Sequence, residues 1–262
     1  MKIIVCIKQV PDTTEVKLDP KTGRLIRDGV PSIINPDDKN SLEAALQIKD
    51  NDPDTRVIVV SMGPPQADIA LREALAMGAD EAILISGREF GGSDTWATSY
   101  IIASAIKKIP DYDLILCGRQ AIDGDTAQVG PQIAEQLGIP QVTYAQKIEV
   151  NGDTIIVQRQ YEDFYQNIEV KMPCLITAIK ELNEPRYMTP GGIADAYSVK
   201  NVTVWGFADV PVDPEKIGLK GSPTNVYRTF SPEAKGMGRI LDGSDRNTVK
   251  ELLSELDNKH LL

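Results

Sequence analysis

The sequence is poor in the side chains that most enzymes use for acid–base and nucleophilic work. A single histidine, His260, stands among 262 residues; it lies almost at the C-terminus, where solvation is expected, so a Ser-His-Asp or Cys-His device finds no support. The three cysteines, Cys6, Cys117 and Cys174, are odd in number, far apart and set in apolar runs. They suggest neither a disulfide framework nor a metal knuckle and fit a reducing cytoplasm. Basic residues are outnumbered, 28 Lys and Arg against 38 Asp and Glu for a formal net charge of −10. Nucleic-acid affinity rests on neutralising phosphates, so no nucleic-acid partner is expected. No apolar run approaches the roughly 18 residues of a spanning helix, and the run at Met1–Lys8 is too short for a signal peptide. The expectation is a cytoplasmic protein with no membrane insertion.

Short runs rich in β-branched residues recur at Ile3–Ile7, Val57–Val60, Ala82–Ile85 and Leu114–Cys117, each followed by turn residues and then a helical pattern. Ile101, Ala105 and Ile109, and Val129, Ile133 and Leu137, recur every four residues and place apolar side chains on one helix face. Leu42, Ala45 and Leu46 mark an earlier helix. Strands apolar almost throughout read as buried on both faces, which predicts an α/β fold with a doubly wound, mostly parallel sheet over about residues 1–145. The runs at Ile148–Val150, Thr154–Arg159 and Asn167–Val170 predict an added hairpin turning at Asn151-Gly152-Asp153. Residues 183–200, with Pro185, Pro190, Gly191 and Gly192, read as an exposed loop. An extended C-terminal arm ends in a short helix at about Asp245–Asp257.

In open parallel sheets, ligands bind beyond the carboxyl ends of the strands. At the strand ending at Cys117, Gly118 permits a close turn and Asp125 or Thr126 can cap the helix running through Val129, so backbone N–H groups there could hold a phosphate. Asp123 would repel phosphate and instead accept hydrogen bonds from a ribose or adenine. The same residues also read as a plain turn and helix cap. The segment Phe90–Thr98, with Gly91, Gly92, Ser93 and Asp94, is a second candidate cradle, although on its own it reads more readily as a glycine turn with a capped helix. Neither loop matches G-x-G-x-x-G or G-x-x-x-x-G-K-[ST], which disfavours an ordinary dinucleotide unit or P-loop. Paired carboxylates such as Asp37 and Asp38 read as solvated caps, and Met62, Phe90 and Trp96 as packing.

The motifs V-C-I-K-Q-V-P-D-T at Val5–Thr13, I-N-P-D-D at Ile34–Asp38, S-M-G-P-P-Q at Ser61–Gln66 and G-R-Q-A-I-D-G-D-T-A-Q-V-G at Gly118–Gly130 closely resemble the β-subunit family of electron-transfer flavoproteins. So do L-N-E-P-R-Y at Leu182–Tyr187 and G-L-K-G-S-P-T at Gly218–Thr224. The resemblance spans essentially the whole chain. It implies an adenine-nucleotide-binding, HUP-like domain at 1–210 and, at 211–262, an arm and helix packing on an α-subunit that carries a redox FAD. It places the adenine-nucleotide pocket at Cys6, Asn35, Ser61, Met62, Gly63, Asp123, Gln128 and Val129, with Gly118, Asp125, Thr126 and Ala127 in the phosphate loop. The segment Gly91–Thr98 resembles G-G-A-D-T-x-A-T of electron-bifurcating members, which implies FAD, reduced by NADH, rather than a structural AMP. Phe90, Gly91, Gly92, Asp94, Thr95 and Thr98 would then contact it. The implied partners are the α-subunit, an acyl-CoA dehydrogenase and ferredoxin or flavodoxin. The stretch 183–197 corresponds to the family's recognition loop for the dehydrogenase, with Tyr187, Met188, Pro190 and Ile193 as docking residues. No side chain is expected to act as acid, base or metal ligand.

Overall fold

The computed structural model describes residues 1–12, 17–18, 25–26, 31–227, 236, 238–243 and 245–262. Two units are distinguished, Met1–Asn225 and Val226–Leu262. Thr13, which ends the first motif, lies outside the described residues.

The first unit opens with β1 (Lys2–Cys6), followed by β2 (Gln9–Pro11), β3 (Lys17–Leu18), β4 (Leu25–Ile26) and β5 (Ser32–Ile34), which form two small antiparallel ribbons. Then come α1 (Pro36–Asn51), β6 (Arg56–Met62), α2 (Asp68–Met77), β7 (Glu81–Ile85), α3 (Thr95–Ile106), β8 (Leu114–Gly118) and α4 (Val129–Leu137). The chain continues through β9 (Gln141–Asn151), β10 (Thr154–Gln160), β11 (Tyr165–Lys171), β12 (Cys174–Ala178), α5 (Pro190–Ser198), β13 (Val202–Trp205) and a one-turn α6 (Gly218–Gly221). Nine strands make one sheet in the order β11-β10-β9-β12-β8-β1-β6-β7-β13. The run from β9 to β13 is parallel, and β9, β10 and β11 are antiparallel.

The apolar-throughout strands are buried on both faces because helices cover each one. On one side Ile3, Val5, Val57 and Leu116 pack with Leu42 and Ala45 of α1 and Leu71 and Leu75 of α2. On the other, Ile4, Ile58 and Ile115 pack with Ile101 and Ile106 of α3 and Ile133 of α4. Each fully buried Leu or Ile contributes about 1.5–3 kcal/mol, so these two layers rather than any single contact fix the strand exits.

Three features depart from the sequence reading. The expected hairpin is a three-stranded antiparallel extension of the main sheet, and β12, buried along its whole length, inserts between β8 and β9. The segment after Pro190 is helical, not looped. Thr189 caps α5 by accepting the Gly192 N–H at 2.9 Å, and Pro190 occupies the first turn, where its missing N–H costs nothing. A Cβ at Gly192 would lie 2.2 Å from the Ala76 carbonyl oxygen, so that glycine lets α5 lie directly on α2 rather than breaking a helix. Asp38, expected to be solvated, is buried.

The second unit carries α7 (Arg246–Asn258), matching the expected C-terminal helix. Asp245 caps it through the N–H groups of Asn247 and Thr248 at 3.0 and 2.8 Å. Val249, Leu252 and Leu253 lie along it half exposed.

Candidate functional site

The chain leaves β1 for β6 on one side and, after β7, returns to β8 on the other side of β1. This reversal opens a crevice at the carboxyl ends of β1 and β8, the place where open α/β sheets take ligands. Cys6 and Cys117 are register partners there, and burial pushes both thiols upward, so they stay protonated at neutral pH.

Residues 35–38 bind the two exits together. Asn35 donates its backbone N–H to the Lys8 carbonyl at 2.9 Å, its Nδ2 to the Gln120 carbonyl at 2.8 Å and accepts the Ile122 N–H on Oδ1 at 3.0 Å. Its amide is thereby committed to shaping the 118–123 loop. Asp38 accepts the N–H groups of Lys8 and Gly118, both at 2.8 Å. Gly118 is required there, since a Cβ would fall 2.4 Å from Asp38 Oδ1.

Beyond Gly118 the loop is exposed, and Asp125 and Ala127 both adopt left-handed φ, at 54° and 53°. Such strain in non-glycine residues persists only where the surroundings enforce it, and it clusters at functional turns. The loop runs into α4, whose first-turn N–H groups have no partner within the helix. Gly130 brings that turn against the sheet, because a Cβ would lie 2.7 Å from Cys117 Sγ and 2.9 Å from Thr177 Cγ2. Across the crevice, Ser61 Oγ is buried at the end of β6 with no hydrogen-bond partner among the described residues; a buried hydroxyl of this kind calls for a further partner. Asp123 is held by the Lys8 ammonium at 2.7 and 2.8 Å, so its negative charge is locally offset. An uncapped helix start, a strained turn and a buried hydroxyl without a partner among the described residues fit the phosphates and sugar of a nucleotide. Met62 and Gly63 follow Ser61 at the same sheet end.

The second candidate loop is joined to the first by a hydrogen bond from Thr95 Oγ1 to Gln128 Oε1 at 3.2 Å. Its glycines and acid have partners within the chain. Gly92, at φ 77°, has Leu219 where a Cβ would go, 3.1 Å away, and Gly91 accepts the Leu219 N–H at 3.2 Å. Asp94 caps α3 through the Ala97 N–H at 3.0 Å and takes the N–H and hydroxyl of Thr224 at 2.9 and 2.7 Å. Burial acts to raise the Asp94 carboxyl, but these hydrogen bonds hold it below its ordinary value. Phe90 is buried in the core. Thr98 closes the first helical turn onto the Asp94 carbonyl at 2.9 Å. Thr126 is exposed in the first loop.

The predicted docking residues sit at the start of α5. Tyr187, Met188 and Ile193 are exposed, Tyr187 almost completely, and Pro190 begins the helix. Arg186 anchors them to α1 through Glu43, at 2.8 Å from Nε, and Asp50, at 2.6 Å from Nη2. Gly130 and Thr224 shape these loops although sequence reasoning gave them no individual role, Asp38 was read as a solvated cap, and Lys8 was marked only as a strand-exit position. Only positions inside the quoted motifs marked Gly130 and Thr224.

An electron transfer flavoprotein domain model matches residues 22–205. The chain is 59% identical, over the full length of both, to the caffeyl-CoA reductase-Etf complex subunit CarD of Acetobacterium woodii. It is 57% identical, again over both full lengths, to the electron transfer flavoprotein subunit beta of Clostridium acetobutylicum. With the acryloyl-CoA reductase electron transfer subunit gamma of Anaerotignum propionicum it shares 51% identity over both chains in full. The chain therefore belongs to the electron transfer flavoprotein family, among its β subunits.

Proposed function

We propose that this chain is the β subunit of an electron-bifurcating flavoprotein and that the crevice at the β1 and β8 exits holds an FAD. The strained turn at Asp125 and Ala127, leading into the first turn of α4, where no side chain among the described residues caps the helix, carries this reading. That turn and the Val129 end of the helix would take the diphosphate, with the Ser61 hydroxyl, Cys6, Met62, Gly63 and the Asp123–Lys8 pair around the adenosine. A flavin held here would supply hydride acceptance from NADH and onward single-electron transfer to the FAD of the α subunit and to ferredoxin or flavodoxin. The protein's own part is to bind, orient and shield; no side chain is assigned a proton-transfer role. Exposed Tyr187, Met188 and Ile193 at the start of α5 would dock an acyl-CoA dehydrogenase, consistent with relatives named for caffeyl-CoA and acryloyl-CoA reductase complexes.

One observation favours a second reading. Gly91, Gly92 and Asp94 are already used by Leu219 and Thr224, so the second loop is accounted for without a flavin. A structural AMP at the first loop alone would then suffice, with the chain serving as scaffold and docking module. The test is titration of the purified heterodimer with NADH under anaerobic conditions, followed by flavin absorbance. Rapid bleaching supports the FAD reading. A flavin reduced only by the acyl-CoA dehydrogenase, with NADH inert, supports AMP.

A further inference from the structure

Asp38 is a buried carboxyl that the proposed chemistry leaves without a task. It sits in the first turn of α1 and is 7% exposed. Its two hydrogen bonds, from the N–H groups of Lys8 and Gly118, reach the backbone just past β1 and the last residue of β8. Those strands are neighbours at the point where the sheet order reverses, so a single carboxylate spans the crevice floor. Asn35, at the start of the same turn, holds Lys8, Gln120 and Ile122. Asp38 therefore sets where the Gly118–Gln128 loop begins, and Asn35 sets its next few residues.

We propose that Asp38 is a positioning residue for the adenine-nucleotide site, its ionised carboxylate fixing the spacing of the β1 and β8 exits, and that proton uptake by this carboxylate loosens the Gly118–Gln128 loop and weakens nucleotide binding. The inference rests on the nucleotide reading of the site, although the loosening can be measured with no nucleotide present.

The chemistry is that of acceptor count. Each carboxylate oxygen accepts one N–H strongly, whereas protonation makes one of them a hydroxyl, a poorer acceptor, so one of the two bonds is weakened. A buried N–H left with a weakened acceptor is costly, and backbone movement relieves it. No cation contacts the Asp38 carboxylate among the described residues: the Lys8 ammonium is bound to Asp123, and Arg119 lies beside Asp37 at 3.5 Å. Around Asp38 stand Asp37 on its own helix, the thiols of Cys6 from β1 and Cys117 from β8, and the Asn35 amide. Burial is the largest influence and, together with the Asp37 charge, pushes the Asp38 carboxyl up to about 7 against the pull of its hydrogen bonds. Both thiols are raised by burial and stay neutral through this range. Asp37 is also raised, by burial first, which makes it the control.

The experiment uses the full-length chain in its heterodimer and FAD as the probe, whose diphosphate does not titrate between about pH 5.5 and 8.5. Affinity is read from flavin fluorescence, and backbone amide exchange over Arg119–Gln128 is followed without nucleotide, corrected for the intrinsic pH dependence of exchange. In the wild type, affinity should fall roughly tenfold on acidification, with a midpoint near 7, and loop exchange should rise with the same midpoint. Asp38→Asn mimics the protonated acid and should bind weakly, with fast loop exchange, at every pH. Asp37→Asn removes a charge that raises Asp38, so it should keep the transition and move its midpoint to lower pH. An Asp38→Asn protein with wild-type affinity and profile would overturn the proposal, as would wild-type affinity that rises on acidification. If the wild type binds no FAD, the nucleotide reading fails while loop exchange still decides the role of Asp38. If Asp38→Asn does not fold, a wild-type exchange profile without a midpoint near 7 overturns the proposal by itself.

Discussion

Asp94 and Thr224 lie 130 residues apart and are joined by two hydrogen bonds, from the Thr224 N–H at 2.9 Å and its hydroxyl at 2.7 Å. The Asp94 carboxylate thus caps α3 and at the same time ties down the G-L-K-G-S-P-T segment. Loss of the cap alone costs about 0.5–2 kcal/mol. Asp94→Ala should therefore lower the urea midpoint and speed proteolysis near Thr224. If FAD occupies the crevice, Asp94→Ala combined with Thr95→Ala should also weaken that flavin while sparing the one in the α subunit. Unchanged flavin content with normal NADH reduction would leave the segment a capped turn only.

Gly118 and Gly124 form an internal control. A Cβ at Gly118 meets Asp38 Oδ1 at 2.4 Å, while one at Gly124 meets nothing within 4 Å among the described residues. Gly118→Ala should abolish nucleotide binding or folding, and Gly124→Ala should change neither. Equal behaviour of the two variants in equilibrium binding would show that the β8 exit does not set the site.

Arg186 is half exposed, but its partner Glu43 is 5% exposed. Arg186→Ala would leave that carboxylate buried without a counter-charge, at a cost of roughly 3 kcal/mol, the lower end of losses for buried pairs. Calorimetry should show the lower melting temperature, and electron transfer to the acyl-CoA dehydrogenase should fall because the start of α5 is no longer anchored.

Ile193 lies in the first turn of α5, 40% exposed. A negative charge at a helix N-terminus is favourable for the helix, so Ile193→Asp should fold normally. If the side chain is a desolvated anchor, partner affinity should fall by about 2 kcal/mol or more, with NADH reduction of the heterodimer unchanged. An unchanged transfer rate to the dehydrogenase would show that the anchor lies elsewhere; loss of NADH reduction would mean that α5 serves the nucleotide site.

The Asp38 carboxyl also sets a pH dependence of stability. Its value is raised from 3.8 in the unfolded chain to about 7 in the fold. The native state therefore holds the extra proton between those values, and the associated stability, full below about 4, is lost as pH rises through 7. Melting temperature measured from pH 5 to 8 should carry a downward contribution that Asp38→Asn removes. Global stability and site tightness would then move in opposite directions with pH.

Much of the fold was legible because β1, β6, β7 and β8 are apolar on both faces, a pattern that a helix-covered parallel sheet produces directly. The stretch Gly118–Val129 was legible as the exit of a strand leading into a helix. What escaped the reading was decided at long range. Gly192 looks like a breaker until α2 is packed against it, and Thr189 is a cap only once Pro190 starts a helix. Asp38 resembles any acid in a first helical turn, and nothing local shows that Lys8 and Gly118 enclose it. Thr224 is likewise silent until α6 brings it to Asp94.

The cofactor inventory of the purified heterodimer bears most directly on the central claim. Denaturing the complex and separating its nucleotides by chromatography should yield two FAD and no AMP for each αβ pair. One FAD with one AMP would contradict the bifurcating reading and leave this chain a scaffold around a structural nucleotide.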